Sequence, residues 1–296
     1  MYESFYGLHR KPFSIVPDHD CVFRGRSYLA AAAVLDHATT ERCGGFALIT
    51  GEAGTGKTTL IRELLQASPG NATVGLVTDP HRNFGPLLGR ILLAFGVEAI
   101  DGRPLEMIDQ FHLFIEQQDR TNRRTLLIID EAHVLDETSL EELRLLSNAI
   151  VGQRAPDVVL VGHPELRRNL CSIPRLRPLA QRVVADCRLE ALDREETHQY
   201  IDHRLRCAGA EGQVFSDDAC GAIHAFSDGI PRLINILCED LLTIGGLSQR
   251  ASIDAAMVHA MAEDRRHGGV LPLNFASLGM LVSPEERPMR SQALSA

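Results

Sequence analysis

Short apolar runs alternate with amphipathic stretches over the first two thirds of the chain. GFALIT (residues 45–50) is apolar throughout and ends in a glycine loop, the mark of a strand buried on both faces. The same pattern predicts strands at Ala72–Val77, Thr125–Ile129, Val158–Val161 and Val183–Leu189. Between them, 3.6-residue periodicity predicts helices near Ser27–Thr39, Lys57–Ala67, Phe84–Phe95, Leu105–Gln118 and Ser139–Ile150, with a short one after Pro164. Five strands alternating with helices imply a right-handed α/β core, a parallel sheet with helices on both faces.

Beyond Ala191 the strand signal stops. Asp193–Ala208 reads as a helix with an acidic first turn and arginines in its last, as the helix dipole prefers. Ser216 caps a second helix that Gly229 ends, Pro231 opens a third, and Ser252–Arg266 is a fourth. The expected organisation is therefore a lead-in rich in aromatics and prolines (1–26), an α/β core (27–190), a small all-helical domain (191–267) and a flexible tail (268–296).

Composition narrows the classes. With 296 residues, 45% hydrophobic and 23% charged, the chain is long enough for one large domain or two modest ones. A net charge of −9 argues against an extensive nucleic-acid coat. The seven cysteines are scattered without a CxxC pair, so reduced thiols are expected rather than a disulfide framework or a zinc site. The N-terminus has no apolar stretch of the secretory kind, and no uncharged apolar run reaches membrane-spanning length. A cytoplasmic protein is expected.

Only two lysines occur, Lys11 and Lys57, and one of them sits in the strongest motif. Gly51-Glu52-Ala53-Gly54-Thr55-Gly56-Lys57-Thr58 matches GxxxxGK[ST], follows a predicted strand and opens a predicted helix. Glycines let successive backbone amides converge on a phosphate, and the helix N-terminus adds partial positive charge. Lys57 is placed to reach the β- and γ-phosphates, Thr58 to bind Mg2+, and Thr59 to complete the cradle. Downstream, LLIIDE carries Asp130 and Glu131 at the end of an apolar strand. Asp130 is the expected Mg2+ ligand, and Glu131 the base that polarises the attacking water. ATP and Mg2+ are the implied cofactors.

Asp130-Glu131-Ala132-His133 spells DEAH, but a helicase needs a second RecA-like domain with an arginine-rich motif, which the remaining chain does not supply. A GTPase base reader of the NKxD type is also missing. Two arginines point elsewhere. Arg232, in GIPR at the start of a helix, resembles the sensor 2 arginine of AAA+ ATPases. Arg182, before the last core strand, stands where those proteins carry a finger that completes a neighbour's site, with Arg177 as the alternative. His163, after the fourth strand, stands at the sensor 1 position.

The chain resembles the ExeA/GspA-type ATPases of the general secretion pathway, a bacterial AAA+ family. The resemblance rests on FYGL with Pro12-Phe13 and Pro17-Asp18, on GEAGTGKTT and IIDEAHVL, on LEELRLLSN (140–148) and LVGHPELR (160–167), and on LRPLAQRV (176–183) and GIPRLINILCED (229–240). It implies an AAA+ core followed by a helical lid with ATP between them, and a lead-in near the adenine. It also implies an ATP-dependent homo-oligomer, ring or filament, that drives assembly or remodelling of a secretion or envelope complex, with inner-membrane association only through a partner. Longer family members continue into a transmembrane helix and a peptidoglycan-binding domain, which 268–296 does not match. His163 replaces the glutamine more usual in the family. The same core is similar to TniB-type transposition ATPases, which makes an ATP-dependent DNA-binding regulator the alternative function.

Overall fold

The computed structural model describes residues 2–15, 21–40, 45–67, 72–80, 86–98, 104–148, 156–268 and 271–275. They group into two units: Arg24–Glu190, and Met1–Phe23 together with Ala191–Ala296. Of the segments named above, Pro17-Asp18 and nearly all of the 268–296 tail lie outside the described residues.

The first unit is built on five strands: β1 (Phe46–Gly51), β2 (Ala72–Val77), β3 (Arg124–Ile129), β4 (Asp157–Gly162) and β5 (Val183–Leu189). Every pairing is parallel and the order is β2-β3-β4-β1-β5. All six residues of β1 and of β4 are buried, which is why these segments read as unbroken apolar runs. The edge strand β5 alternates between half-buried and exposed positions up to the buried Leu189. One core cluster contains Phe46, Leu48, Ile91, Phe111, Ile129, Leu160 and Leu179.

The helix α1 (Tyr2–Phe5) belongs to the other unit; α2 (Arg26–Thr40) through α8 (Arg177–Ala180) belong to this one. Among them, α3 (Lys57–Ala67) follows β1, α6 (Glu137–Asn148) follows β3 and α7 (Pro164–Ser172) follows β4. The expected start of α6 at Ser139 is two residues late. Asp136 caps the helix instead, its carboxylate accepting from the Ser139 amide at 2.9 Å. The helix expected from Phe84 begins at Leu87 behind Pro86, and 84–85 lie outside the described residues.

The second unit carries α9 (Arg194–Cys207), α10 (Asp217–Ser227), α11 (Pro231–Leu247) and α12 (Ala255–Gly268). Asp193 and Glu196 form a reciprocal capping box at α9, and Ser216 caps α10. The lead-in is strapped onto this bundle. Arg204 of α9 donates to the carbonyls of Pro12 (2.6 Å) and Ser14 (3.2 Å), and Phe13 is buried edge-on to Phe215. The expectation of reduced thiols fails at one pair, because Cys21 and Cys207 are disulfide-bonded. They lie 186 positions apart, so no spacing pattern could have announced the bond. Cys220 and Cys238 are free and buried.

Candidate functional site

In a parallel sheet all strands end on the same edge. Here the order β3-β4-β1 sets the end of β4 between the ends of β3 and β1, so His163 emerges between the acidic pair and the glycine loop.

The loop from Gly51 to Thr58 is shaped by its glycines. Gly54 (φ 87°) and Gly56 (φ 103°) adopt left-handed backbone that side chains disfavour. A Cβ on Gly51 would stand 2.7 Å from the Leu189 carbonyl oxygen and 2.8 Å from Thr55 Oγ1, so only glycine fits beneath the turn. Thr55 pins the loop by donating to the Glu52 carbonyl at 2.9 Å. Because α3 starts at Lys57, the first amides of the helix have no intrahelical partner and are left at the loop. Glu52, Ala53 and Thr58 are exposed there, while Gly54, Gly56 and Thr59 are half-buried.

The Lys57 ammonium is buried and donates to the carbonyls of Gly51 (2.8 Å) and Glu52 (2.9 Å). Burial pushes its pKa below the usual lysine range, opposed by the charges of Glu131 and Asp130. Asp130 is also buried, and desolvation raises its carboxyl above the ordinary value. The Glu131 amide (2.9 Å) and the Thr58 side chain hydrogen-bond it and pull the other way. Thr58 and Asp130 are thus already joined, with oxygen donors of the hard type that Mg2+ takes. The amide cradle, the cation and this oxygen pair fit a magnesium–polyphosphate group.

Glu131 turns out of β3 in a left-handed conformation (φ 53°, ψ 32°) and starts a 3-10 turn over Ala132–Val134. For a non-glycine residue this backbone costs about 1–3 kcal/mol and is held by its surroundings. It re-aims the carboxylate away from Asp130. Two histidines face it: His133 Nδ1 lies 3.2 Å and His163 Nε2 4.0 Å from Glu131 Oε2. Their rings stack, with centroids 4.2 Å apart. His163 precedes α7 without capping it through its side chain, so the imidazole is available to the site. Desolvation, and next the neighbouring His163, lower the pKa of His133. In sequence His133 is only the last letter of DEAH, and its position two residues after Glu131 was the available signal.

The arginines are placed differently. Arg182 donates to Ser147 Oγ (2.6 Å) and to the carbonyls of Arg144 and Ser147 (3.3 Å each), and its guanidinium lies 5.9 Å from the Phe46 ring centroid. Arg177, at the start of α8, is exposed and makes no side-chain bond among the described residues. Arg232 belongs to the helical unit, exposed in the first turn of α11. That turn depends on Gly229 (φ 70°), where a Cβ would collide with the Leu192 carbonyl.

Comparison with known proteins addresses the family and the fold. An AAA domain family matches residues 41–170. General secretion pathway protein A of Aeromonas hydrophila is 35% identical over 244 residues, which is 82% of this chain and 44% of that protein. The chain therefore spans less than half the length of that relative. Among solved structures, the Aeropyrum pernix ORC2 protein superposes with a TM-score of 0.64 at 17% identity, covering 88% of this chain and 73% of that one. Cdc6p from Pyrobaculum aerophilum gives 0.61 at 18% identity, covering 82% and 67%. At these identities the two structures support the fold alone. With its 2-3-4-1-5 parallel sheet, its glycine loop and this kinship, the chain is an AAA domain protein of the phosphate-loop NTPase class, similar over most of its length to general secretion pathway protein A.

Proposed function

We propose that this chain binds ATP with Mg2+, hydrolyses it, and uses the cycle to drive assembly or remodelling of a secretion- or envelope-associated complex. The observation that carries the reading is the left-handed Glu131, whose carboxylate stands with His133 and His163 while Asp130 is bonded to Thr58 beside the glycine loop.

The residues divide the work. Amides of the 51–58 loop hold phosphate oxygens, and Lys57 adds a charge to the β- and γ-positions. Thr58 and Asp130 hold Mg2+, and Thr59 supports the first turn of α3. Bound Mg2+·ATP supplies the scissile phosphoanhydride and a metal that offsets the charge developing on it. Glu131 orients a water and accepts its proton. His163 contributes a polar contact from the end of β4. Arg182, or Arg177, offers a positive charge to the site of a neighbouring copy in a ring or filament, and Arg232 senses the nucleotide from the helical unit. The lead-in is assigned to the neighbourhood of the base. The proposed setting is cytoplasmic, with inner-membrane contact through a partner. No helix among the described residues is long and apolar enough to cross a membrane.

Steady-state ATPase measured across protein concentration tests the proposal. Glu131→Gln should retain ATP and lose turnover by about 10²–10⁴-fold, the usual contribution of a general base. Unchanged turnover in that variant would remove Glu131 from its role. Duplex-DNA binding that is salt-dependent and requires ATP would favour the transposition-type alternative instead.

A further inference from the structure

Two groups of side chains in the described residues bring three metal-ligating atoms within 4.8 Å of one another. One is Cys21, His203 and Cys207, where both sulfurs are committed to the disulfide. The other is Glu131, His133 and His163, one oxygen and two imidazole nitrogens, all on half-buried residues. We propose that this second group is a regulatory site for a borderline transition-metal dication of the Zn2+ class, and that occupancy withdraws Glu131 from its work on water.

The donor chemistry selects the ion. Imidazole nitrogen with one carboxylate is a zinc-type set, whereas Mg2+ takes oxygen almost exclusively. The site is therefore chemically distinct from Thr58 and Asp130, one residue away. Its dimensions are close to those required. Ligand atoms about 2.0–2.1 Å from a tetrahedral zinc stand about 3.3 Å apart. His133 Nδ1 to Glu131 Oε2 is 3.2 Å, and His163 Nε2 to the same oxygen is 4.0 Å, so rotation of the His163 ring closes the set.

The backbone supports the arrangement. His133 Nδ1 is buried and has no hydrogen-bond partner, although Glu131 Oε2 lies 3.2 Å away. A buried nitrogen left unpaired is costly unless something else takes its lone pair. Gly162 permits the convergence: a Cβ there would stand 3.0 Å from the His133 amide nitrogen, so a larger residue would push the end of β4 and His163 away. The left-handed Glu131 completes the set by aiming its carboxylate at both rings rather than along β3.

Metal binding is read from the protein alone; the inhibitory consequence rests on the proposed role of Glu131. The experiment separates the two. Nucleotide-free protein is titrated with Zn2+ by calorimetry, and with Co2+ by visible absorption. One equivalent should bind with a tetrahedral cobalt spectrum lacking thiolate charge transfer. His163→Gln and His133→Ala should each weaken binding at least tenfold, with helix content by circular dichroism unchanged. The double variant Cys21→Ser/Cys207→Ser should still bind one equivalent through the imidazoles. Binding that survives both histidine variants, or that is lost in the cysteine variant, overturns the site. In Mg2+-supported ATPase, micromolar Zn2+ should suppress turnover, a chelator should restore it, and His163→Gln should require at least tenfold more Zn2+ for the same fractional loss. Stoichiometric binding without inhibition overturns the regulatory role and leaves the ATPase reading standing. Absence of turnover at any metal concentration counts against the ATPase reading and leaves the binding result to decide the site.

Discussion

The Lys57 ammonium is folded back onto the Gly51 carbonyl, 2.8 Å away, inside its own loop. The cation is thus stored where it stabilises the turn before any phosphate arrives. Replacing Lys57 by alanine should remove both this support and the phosphate contact. ATP retention, measured by equilibrium dialysis, is expected to fall about 10–100-fold, as for loss of one charged hydrogen bond or two. Because burial depresses its pKa, unfolding takes up a proton at alkaline pH below the ordinary lysine value, and Lys57 contributes stability that rises with pH across that window.

Arg182 cannot reach a neighbour without surrendering its bonds to Ser147 and Arg144, whereas the exposed Arg177 makes no side-chain bond among the described residues. Arg182→Ala is therefore expected to lower unfolding stability by about 1–3 kcal/mol, as for a charged hydrogen-bonding group removed from a half-buried site. Arg177→Ala should stay within about 0.5 kcal/mol of the parent. The arginine that acts in trans should lose turnover alone and regain part of it when mixed with Glu131→Gln subunits. Denaturant titration and mixed-subunit ATPase assays check the two halves.

Gly229 ends α10 beside Asp228, both with left-handed backbone, and lies against Leu192. Alanine at 229 must both enter a strained conformation and displace the Leu192 carbonyl. A loss of at least about 1–3 kcal/mol is expected, read as a lower melting temperature for the helical unit. The same variant should mislay Arg232, which starts the next helix.

Reduction should loosen the strap that the lead-in makes on α9. Without the Cys21–Cys207 bond the chain is expected to lose about 2–4 kcal/mol of stability. Thiol counting on unreduced, denatured protein should find two fewer reactive thiols than after reduction. A full complement of seven thiols before reduction would contradict the bond.

Stability should fall as the solution is acidified through the imidazole range. Desolvation depresses His133, His203 and His224, so the unfolded chain binds more protons than the folded one between their lowered values and about pH 6.5. The stability these residues contribute is complete above that range and lost below it. Melting temperatures between pH 8 and 5 should decline less steeply in His133→Ala than in the parent.

Much of this was legible in one dimension. Continuous apolar runs identified β1, β3 and β4 because strands covered on both faces leave no polar alternation, and GEAGTGKT announced its loop because each glycine answers a local steric demand. Asp193, Ser216 and Pro231 marked their helix starts for the same reason: capping is settled within a few residues. Tertiary structure alone decided what meets across long separations. The sheet order, not the chain order, placed His163 between Glu131 and the glycine loop and stacked it on His133, 30 residues away by number. Tertiary packing likewise tied Arg182 to Ser147 in the sheet unit and joined Cys21 to Cys207 in the helical one. Such contacts come from closing loops around a shared core, and local propensity carries no record of which distant residue will arrive.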